Sequence, residues 1–258
     1  MKGIIWFRSD LRIEDNPALL NATQSCDELI SIYFFSKDQW ALHNESNVKL
    51  DFLYNNLILL EQALKKLNIP LCVIETKDYE SLSDDLTAFA QLHSVKHIYW
   101  NNEFGINEER RDTAVLNALN VANIHSTNFI DQVIYEPGFL RTGQGKPFSV
   151  FTPFKRRWIE NFSIDCLDLK KPTKSLKQIK LRSDLTPLNF IKKHSVDISL
   201  WPAGESHAID RLSSFLALKV NSYSQSRNDP ILDGTSRISP YLALGIISPK
   251  RCILEGLK

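Results

Sequence analysis

A hydroxyl-rich turn at residues 233–239, with the sequence DGTSRIS, lies close to the end of the 258-residue chain. Gly234 permits a tight turn, and the residues after it combine hydroxyl groups with the backbone N–H groups of a helix start, which is typical of a phosphate cradle. Arg237 adds a planar fork of donors, and Tyr223, one or two turns up the preceding predicted helix, reaches the same phosphates. The hydroxyl donors of the turn are Thr235, Ser236 and Ser239. A plain turn whose Thr or Ser caps the next helix is the alternative.

Other residues that could do chemistry lack a recognisable spacing. The sequence contains no GxSxG, Walker or GxGxxG pattern, so hydrolase, NTPase and nicotinamide-dehydrogenase functions have no support. Arg8, Asp10 and Arg12 cluster, but we interpret them as an ion-pair network that ties the first loop to the later helical part. No metal site is predicted, because the histidines other than His43 lack the spacing of metal ligands. They are His93, His97, His125, His194 and His207. The four cysteines are far apart, which predicts free thiols in a reducing cytosol.

The charge distribution is uneven, although the formal net charge is only +1. Residues 155–193 contain eleven Lys and Arg against four Asp and Glu. A solvated linker and a surface that faces DNA both explain such a run. No apolar run approaches the roughly eighteen residues of a membrane span, so we expect a cytoplasmic protein with no membrane partner.

The first half of the chain alternates short apolar, β-branched runs with helical patterns, as successive βαβ units do. Because the runs are apolar on consecutive positions, we expect them to be buried on both faces of a parallel, doubly wound, five-stranded sheet. Ligands of such sheets bind beyond the carboxyl ends of the strands, where the strand order reverses. The predicted strands are residues 3–7, 29–35, 71–75, 95–100 and 121–125.

The pattern changes after Ile130 and divides the chain into three parts. Residues 1–130 form the predicted α/β domain, residues 131–200 a loop and basic interdomain linker, and residues 201–258 the first helices of an all-α domain. Helices are also predicted in the α/β part at 50–67, 81–93 and 107–119. The last residues open a helix with Pro249 in its first turn and have no capped end, so we expect the helical domain to be incomplete.

Three blocks of residues, in order, resemble the DNA photolyase/cryptochrome family, and within it the bacterial class I branch with a folate antenna. The first is WFRSDLR at residues 6–12 followed by DNPAL at 15–19. The second is VFTPF at residues 150–154 followed by Trp158. The third is Tyr223, Arg227 and Pro230, followed by residues 233–243. The resemblance therefore covers essentially the whole chain.

The resemblance implies a flavin site, a DNA contact and an antenna site. It implies that Tyr223, Thr235, Ser236, Arg237 and Ser239 contact FAD. It places Arg227 where the family binds a DNA phosphate, although an Arg near a helix end is often only solvated. It assigns His43, Asn107 and Glu108 to a methenyltetrahydrofolate antenna, because a carboxylate and an amide can pair with the edge of a pterin. An ordinary helix N-terminus and a surface histidine are the alternatives, and flavin or deazaflavin antennae occur elsewhere in the family.

The resemblance also implies the activity: light-driven, FAD-dependent splitting of cyclobutane pyrimidine dimers in damaged DNA. It assigns no catalytic residue to this fragment, which we therefore expect to be inactive alone, to retain FAD weakly, and to be monomeric unless an exposed helical face makes it aggregate. The alternatives are a cryptochrome-like light sensor and a non-catalytic antenna domain that binds a folate or a nucleotide.

Overall fold

The computed structural model describes residues 1–191 and 199–258. His194 and the last two lysines of the basic run lie outside the described residues. The strands are β1 Lys2–Phe7, β2 Glu28–Phe35, β3 Leu71–Glu75, β4 His97–Asn101 and β5 His125–Phe129. They form one parallel sheet in the order β3-β2-β1-β4-β5, so the chain winds outward from β1 in both directions. The predicted doubly wound α/β architecture is confirmed.

The helices flank the sheet and then continue beyond it. In the α/β part they are α1 Pro17–Ser25, α2 Lys37–Leu42, α3 Asn47–Lys66, α4 Leu82–Leu92 and α5 Ile106–Val121. Further along are α6 Phe151–Asn161, α7 Glu205–Leu218, α8 Tyr223–Ser226, α9 Ser239–Ala243 and α10 Pro249–Gly256. None of the helices in the described residues has the length and apolarity needed to cross a lipid bilayer.

Each face of the sheet has its own apolar core, because successive strand residues point to opposite faces. Ile5 and Phe7 of β1 pack with α1 and α3 on one face, whereas Ile4 and Trp6 pack with α4 and α5 on the other. The apolar stripe of α3 contributes Leu57, and Leu57 is fully buried. Burial on both faces explains why the central strands are apolar at consecutive positions.

The fifth strand was predicted four residues too early. Val121 is the last residue of α5, and the strand begins only at His125. Its sequence, HSTNF, is polar because none of its five residues is buried on either face of the sheet. An edge strand of this kind has no continuous apolar run to mark it.

Residues 173–191 of the basic segment pack against the α/β domain, so this part of the segment is not a solvated linker. Asp184 forms a parallel bridge with Cys72 of β3, and Leu188 is fully buried. The Ser175 hydroxyl donates a hydrogen bond to the Asp27 carbonyl at 3.0 Å, and the Lys177 N–H donates to the same oxygen at 2.8 Å. Lysines at every third position from Lys171 to Lys180 face solvent, so the sequence does not show that the residues between them pack on the domain.

The loop after β1 joins the sheet to the late helices, and Arg12 is the member of the predicted charged cluster that makes this contact. Arg12 forms a buried ion pair with Asp131 and donates a hydrogen bond to the Gly245 carbonyl at 3.1 Å. The carboxylate of Glu205, at the start of α7, accepts the Ile13 N–H at 2.7 Å. Arg8, in contrast, stays within the α/β domain and pairs with Asp112 at 2.7 Å.

Candidate functional site

Two neighbouring cavities lie at the carboxyl edge of the sheet, next to the point where the strand order reverses. The inner cavity, of about 230 Å³, is lined by the ends of β1 and β2, including Arg8 and Phe34. The outer cavity, of about 450 Å³, lies between α2, α5 and the loop after β3. This is where ligands bind in open parallel sheets.

The structure brings the three predicted antenna residues to these cavities. His43, which follows the last residue of α2, lines both of them. Asn107 lines the outer cavity, and Glu108 lines the inner one. Glu108 folds back over the start of α5, so that a methyl group on Gly105 would lie 2.0 Å from its Oε2 atom. Glycine at this position therefore leaves room for the carboxylate.

A charged network forms the wall of the inner cavity. Arg111 donates hydrogen bonds to Glu103 at 2.9 Å and to Asp112 at 2.7 Å. Burial alone would raise the pKa of Glu103, but the neighbouring Arg8 and Arg111 outweigh it and hold the pKa below its ordinary value. Arg8 donates to Asp112 and to the Asn101 carbonyl, yet its buried Nε atom has no hydrogen-bond partner within the described residues. That Nε atom instead lies 3.8 Å from the Glu103 Oε2 atom, within ion-pair range.

Three of the four residues that line both cavities were not predicted from the sequence. Gln39 and Tyr79 contribute to both cavities, as does Arg111, which lies one helical turn after Glu108. The spacing on α5 could have indicated Arg111, because residues three or four apart share a helix face. Nothing in the sequence pairs Tyr79, in the loop after β3, with a residue of α5.

The five predicted flavin residues do not meet in one cavity. Thr235 and Ser236 line a cavity of about 280 Å³ together with Arg211 and Lys219. Ser239 lines a different cavity, of about 640 Å³, next to Arg12. Tyr223 and Arg237 line neither, so the structure as described holds two of the five together.

Tyr223 begins a helical turn of its own, α8, and is not on the helix that precedes it. Its ring packs edge-on against Phe215 of α7 with the centroids 5.7 Å apart. The predicted DNA contact, Arg227, is exposed and lies over the Tyr223 ring at 5.8 Å. Arg227 is thus accessible, with one face supported by an aromatic side chain.

The hydroxyl-rich turn is held by its neighbours and not by capping. Arg237 has a φ of 49° and pairs with Asp233 at 3.0 Å, and its carbonyl accepts the Trp201 Nε1–H at 3.0 Å. Gly234 is buried against α8, where a methyl group would lie 2.3 Å from the Ser226 Oγ atom. Neither Thr235 nor Ser236 makes a side-chain hydrogen bond within the described part of the chain, and α9 begins without a side-chain cap. Their hydroxyls remain free to bind a ligand.

The state of the cysteine thiols and of the possible metal ligands was also predicted from the sequence. All four cysteines are free, as predicted. Burial raises the pKa of the Cys72 thiol to about 11 and that of Cys252 to about 11. No cluster of His, Cys, Asp and Glu that could hold a metal occurs among residues 1–191 and 199–258.

Together, the doubly wound sheet with ligand-sized cavities at its switch point and the helical unit docked on its first loop define a nucleotide-type α/β protein with a second, helical part. A family model for DNA photolyase matches residues 3–176, about two thirds of the chain. The chain belongs to the DNA photolyase family.

Individual relatives agree with this assignment. The deoxyribodipyrimidine photo-lyase of Buchnera aphidicola subsp. Acyrthosiphon pisum is 36% identical over 264 residues, covering 100% of this chain and 53% of the relative. A class III photolyase from Agrobacterium tumefaciens superposes with a TM-score of 0.82 at 28% identity, over 98% of this chain and 52% of that one. An archaeal photolyase from Sulfolobus tokodaii, solved with two FAD molecules, shares the fold with a TM-score of 0.75 at 20% identity. The match covers 98% of this chain and 54% of that one. The chain thus spans about half the length of these relatives.

Proposed function

We propose that this chain is part of a light-driven deoxyribodipyrimidine photo-lyase that repairs cyclobutane pyrimidine dimers in DNA. Membership of the DNA photolyase family supports the proposal, and so does the naming of its relatives as photo-lyases. In such an enzyme a reduced FAD would supply the electron that splits the dimer. Damaged DNA would be the partner and Arg227 a contact to its phosphates, with the protein monomeric and cytoplasmic.

The observation that carries the flavin part of the proposal is the cavity beside the hydroxyl-rich turn. Two cations, Arg211 and Lys219, line it together with the free hydroxyls of Thr235 and Ser236. Hydroxyl and cationic donors are the groups that bind a diphosphate, so these residues fit that part of FAD. Tyr223, Arg237 and Ser239 would join the site only if the turn rearranged or if further residues bridged the two cavities.

Flavin binding can be tested on the chain as it is. ADP carries the diphosphate and adenosine of FAD, so we expect it to bind weakly to the purified chain in calorimetric titration. Thr235→Val removes a lining hydroxyl and should weaken ADP binding about tenfold. Thr113→Val, on the exposed side of α5, should leave it unchanged. Equal affinities in all three proteins would reject the diphosphate site.

We also propose that the two strand-end cavities hold the antenna chromophore, with methenyltetrahydrofolate as its identity. His43, Asn107 and Glu108 line these cavities and fit the polar edge of a pterin. The absorption spectrum of the purified protein distinguishes a bound folate from an oxidised flavin. A protein without either chromophore, and unable to take up the folate on titration, would contradict this assignment.

One observation favours a second candidate, a domain that binds the antenna without repairing DNA. The predicted antenna residues meet at one pair of neighbouring cavities, whereas the predicted flavin residues are divided between separate cavities. We propose that this polypeptide alone retains FAD weakly and has no repair activity. Illuminating it with DNA that contains cyclobutane dimers tests this directly: measurable repair would reject the antenna-only function. A cryptochrome-like sensor would likewise show no repair, but would change its protein contacts in light.

A further inference from the structure

The most basic part of the chain forms a belt around the α/β domain. Residues 170–182, which we call the basic belt, contain six Lys and Arg and no Asp or Glu. At its start the Lys170 carbonyl accepts the Asp15 N–H at 3.0 Å, and just after its end the Asp184 N–H donates to the Leu71 carbonyl at 2.8 Å. The belt therefore runs from the loop after β1 to β3, the outermost strand on that side of the sheet.

The backbone of the belt is fixed to the domain. The Ser175 N–H donates to the Leu67 carbonyl at 2.9 Å. Ile179 and Leu181 pack on the apolar core beneath the belt. Because the backbone is already ordered, a ligand that binds here has only the ends of the side chains to immobilise.

Most of the belt crosses the amino ends of the strands, opposite the strand-end cavities. The Ser175 hydroxyl bonds to Asp27, the residue before β2, and the first residue of β3, Leu71, donates its N–H to the Ser183 hydroxyl at 3.1 Å. None of the residues that line the candidate antenna and flavin cavities belongs to the belt. It is thus a surface that the proposed function does not use.

The belt cations are exposed, and most of them have no ion-pair partner. Lys170 pairs with Asp168 at 2.9 Å, and Lys171 pairs with Glu14 at 2.5 Å. The other four form no ion pair with any residue in 1–191 or 199–258; they are Lys174, Lys177, Lys180 and Arg182. Their charge is available to an external anion.

A cavity beside the belt widens this positive surface. It measures about 350 Å³ and is lined by Arg182 and by Lys65, from the last turn of α3. Asn68 and Gln178 add two amides, and Glu61 adds one carboxylate. Two cations and two amide donors against a single carboxylate suit a phosphate group.

The spacing of the lysines indicates the kind of anion. From Lys171 to Lys180 a lysine occurs at every third position, and three residues of chain span at most about 10 Å. One DNA strand carries a phosphate at about every 3.4 Å of its axis, so neighbouring lysines reach different phosphates. A segment that binds a membrane surface presents an apolar face beside its cations. In the belt, only Leu176 of the three aliphatic side chains is exposed.

We propose that the basic belt is a second DNA-binding surface, which binds the phosphate backbone of undamaged duplex DNA irrespective of sequence. The choice of DNA as the anion rests on the proposed function, whereas the surface itself rests on charge and packing. Arg227 lies on the late helices, which contact the loop at the carboxyl end of β1. The belt therefore binds a different stretch of DNA from the one that contains the lesion, and it retains the protein on DNA between lesions.

The test is the binding of the purified chain to a lesion-free duplex of about 20 base pairs, measured by fluorescence anisotropy at several salt concentrations. The variant combines Lys174→Gln, Lys177→Gln and Lys180→Gln. It should bind about tenfold more weakly at low salt. The slope of log K against log salt concentration should fall by about 2.7, because each lost phosphate contact removes about 0.9.

A second triple variant is the matched control, with the same change in net charge. It combines Lys37→Gln, Lys77→Gln and Lys146→Gln, three exposed residues outside the belt. Its affinity and salt slope should stay close to those of the unmodified chain. Both variants change only exposed side chains, so their circular dichroism spectra should match that of the unmodified chain.

Each outcome decides the proposal. A loss of DNA affinity confined to the belt variant supports it. Equal losses in both variants overturn it, because net charge alone then explains binding, and so does an unmodified chain that does not bind the duplex. Vesicles of phosphatidylserine and phosphatidylcholine are titrated in parallel: if the belt variant loses vesicle binding but keeps DNA binding, the belt contacts membranes and the proposal is rejected. Since the duplex contains no lesion, a failed repair assay would reject the photo-lyase function and leave this result standing.

Discussion

The guanidinium of Arg12 donates a hydrogen bond to the Gly245 carbonyl at 3.1 Å, across 233 residues of sequence. The Leu11 N–H donates to the neighbouring Leu244 carbonyl at 3.0 Å. The loop that leaves β1 thus contacts the backbone of the late helices directly at Leu244 and Gly245. The first predictions follow from this close approach.

Replacing Gly245 with Ala should destabilise the protein strongly. Its φ is +60°, and a methyl group there would lie 2.2 Å from the Ser9 carbonyl oxygen and 2.5 Å from the Asp10 Cα atom. Both are backbone atoms that cannot move aside, so we expect a loss of about 2–4 kcal/mol in the free energy of unfolding, measured with urea. Gly143→Ala is the control, because nothing lies within 4 Å of the added methyl group. Similar losses in both variants would show that the junction is not tightly packed.

Breaking the ion pair beneath that junction should also be costly. The side chains of Arg12 and Asp131 are each only 2% exposed, so Asp131→Asn leaves a buried guanidinium without its ion-pair partner. We expect a loss of about 3–5 kcal/mol in chemical denaturation. The exposed pair of Lys37 and Glu75 gives the comparison: Glu75→Gln should cost less than about 1 kcal/mol. A smaller loss from Asp131→Asn would mean that water reaches Arg12.

The stability contributed by Glu103 should depend on pH. Its pKa in the folded protein lies below the ordinary value of 4.5, since Arg8 and Arg111 outweigh burial. A depressed pKa contributes stability above the unfolded value and loses it as the pH falls through the folded value. Glu103→Gln should therefore be less stable than the unmodified protein at pH of about 7, and the gap should narrow as the pH falls below about 4. Urea denaturation at several pH values measures it, and a constant gap would contradict the charge-based explanation.

Gly105→Ala should separate antenna binding from stability. The added methyl group meets only the flexible carboxylate of Glu108, at 2.0 Å, so the side chain moves and the helix remains. The free energy of unfolding should change by less than about 1 kcal/mol. Methenyltetrahydrofolate should bind about tenfold more weakly, because a charged hydrogen-bond partner has been displaced. If binding is unchanged while Glu108→Gln weakens it, the carboxylate reaches the ligand from more than one position.

Several parts of the fold were predictable because they depend on local pattern. The three strands Lys2–Phe7, Glu28–Phe35 and Leu71–Glu75 are apolar along most of their length, since both of their faces are covered. The apolar stripe of α3 and the proline at the start of α10 are equally direct signals. The polar edge strand β5 was misplaced, because its stability comes from pairing with β4 and not from its own composition.

The candidate sites were also predictable only in part: the sequence shows the residue types but not which of them meet. The residue types around Asn107 and Glu108, and the hydroxyl-rich turn at 233–239, indicate binding chemistry because amides, carboxylates and hydroxyls are ligand groups wherever they occur. Whether such residues meet is a separate matter. Tyr79 meets Arg111 beside the cavities, whereas Ser239 lines a different cavity from Thr235 although it lies only four positions further along the chain.

The sequence by itself determined the succession of strands and helices along the chain, because this follows from periodicity. It also determined the family, because the family follows from motifs. Only the tertiary structure decided which side chains share a cavity, that part of the basic segment packs beside β3, and that Tyr79 and Arg111 line the same two cavities. The physical reason is that contacts between distant segments depend on the sum of many weak packing and hydrogen-bonding terms, and no single stretch of sequence contains that sum.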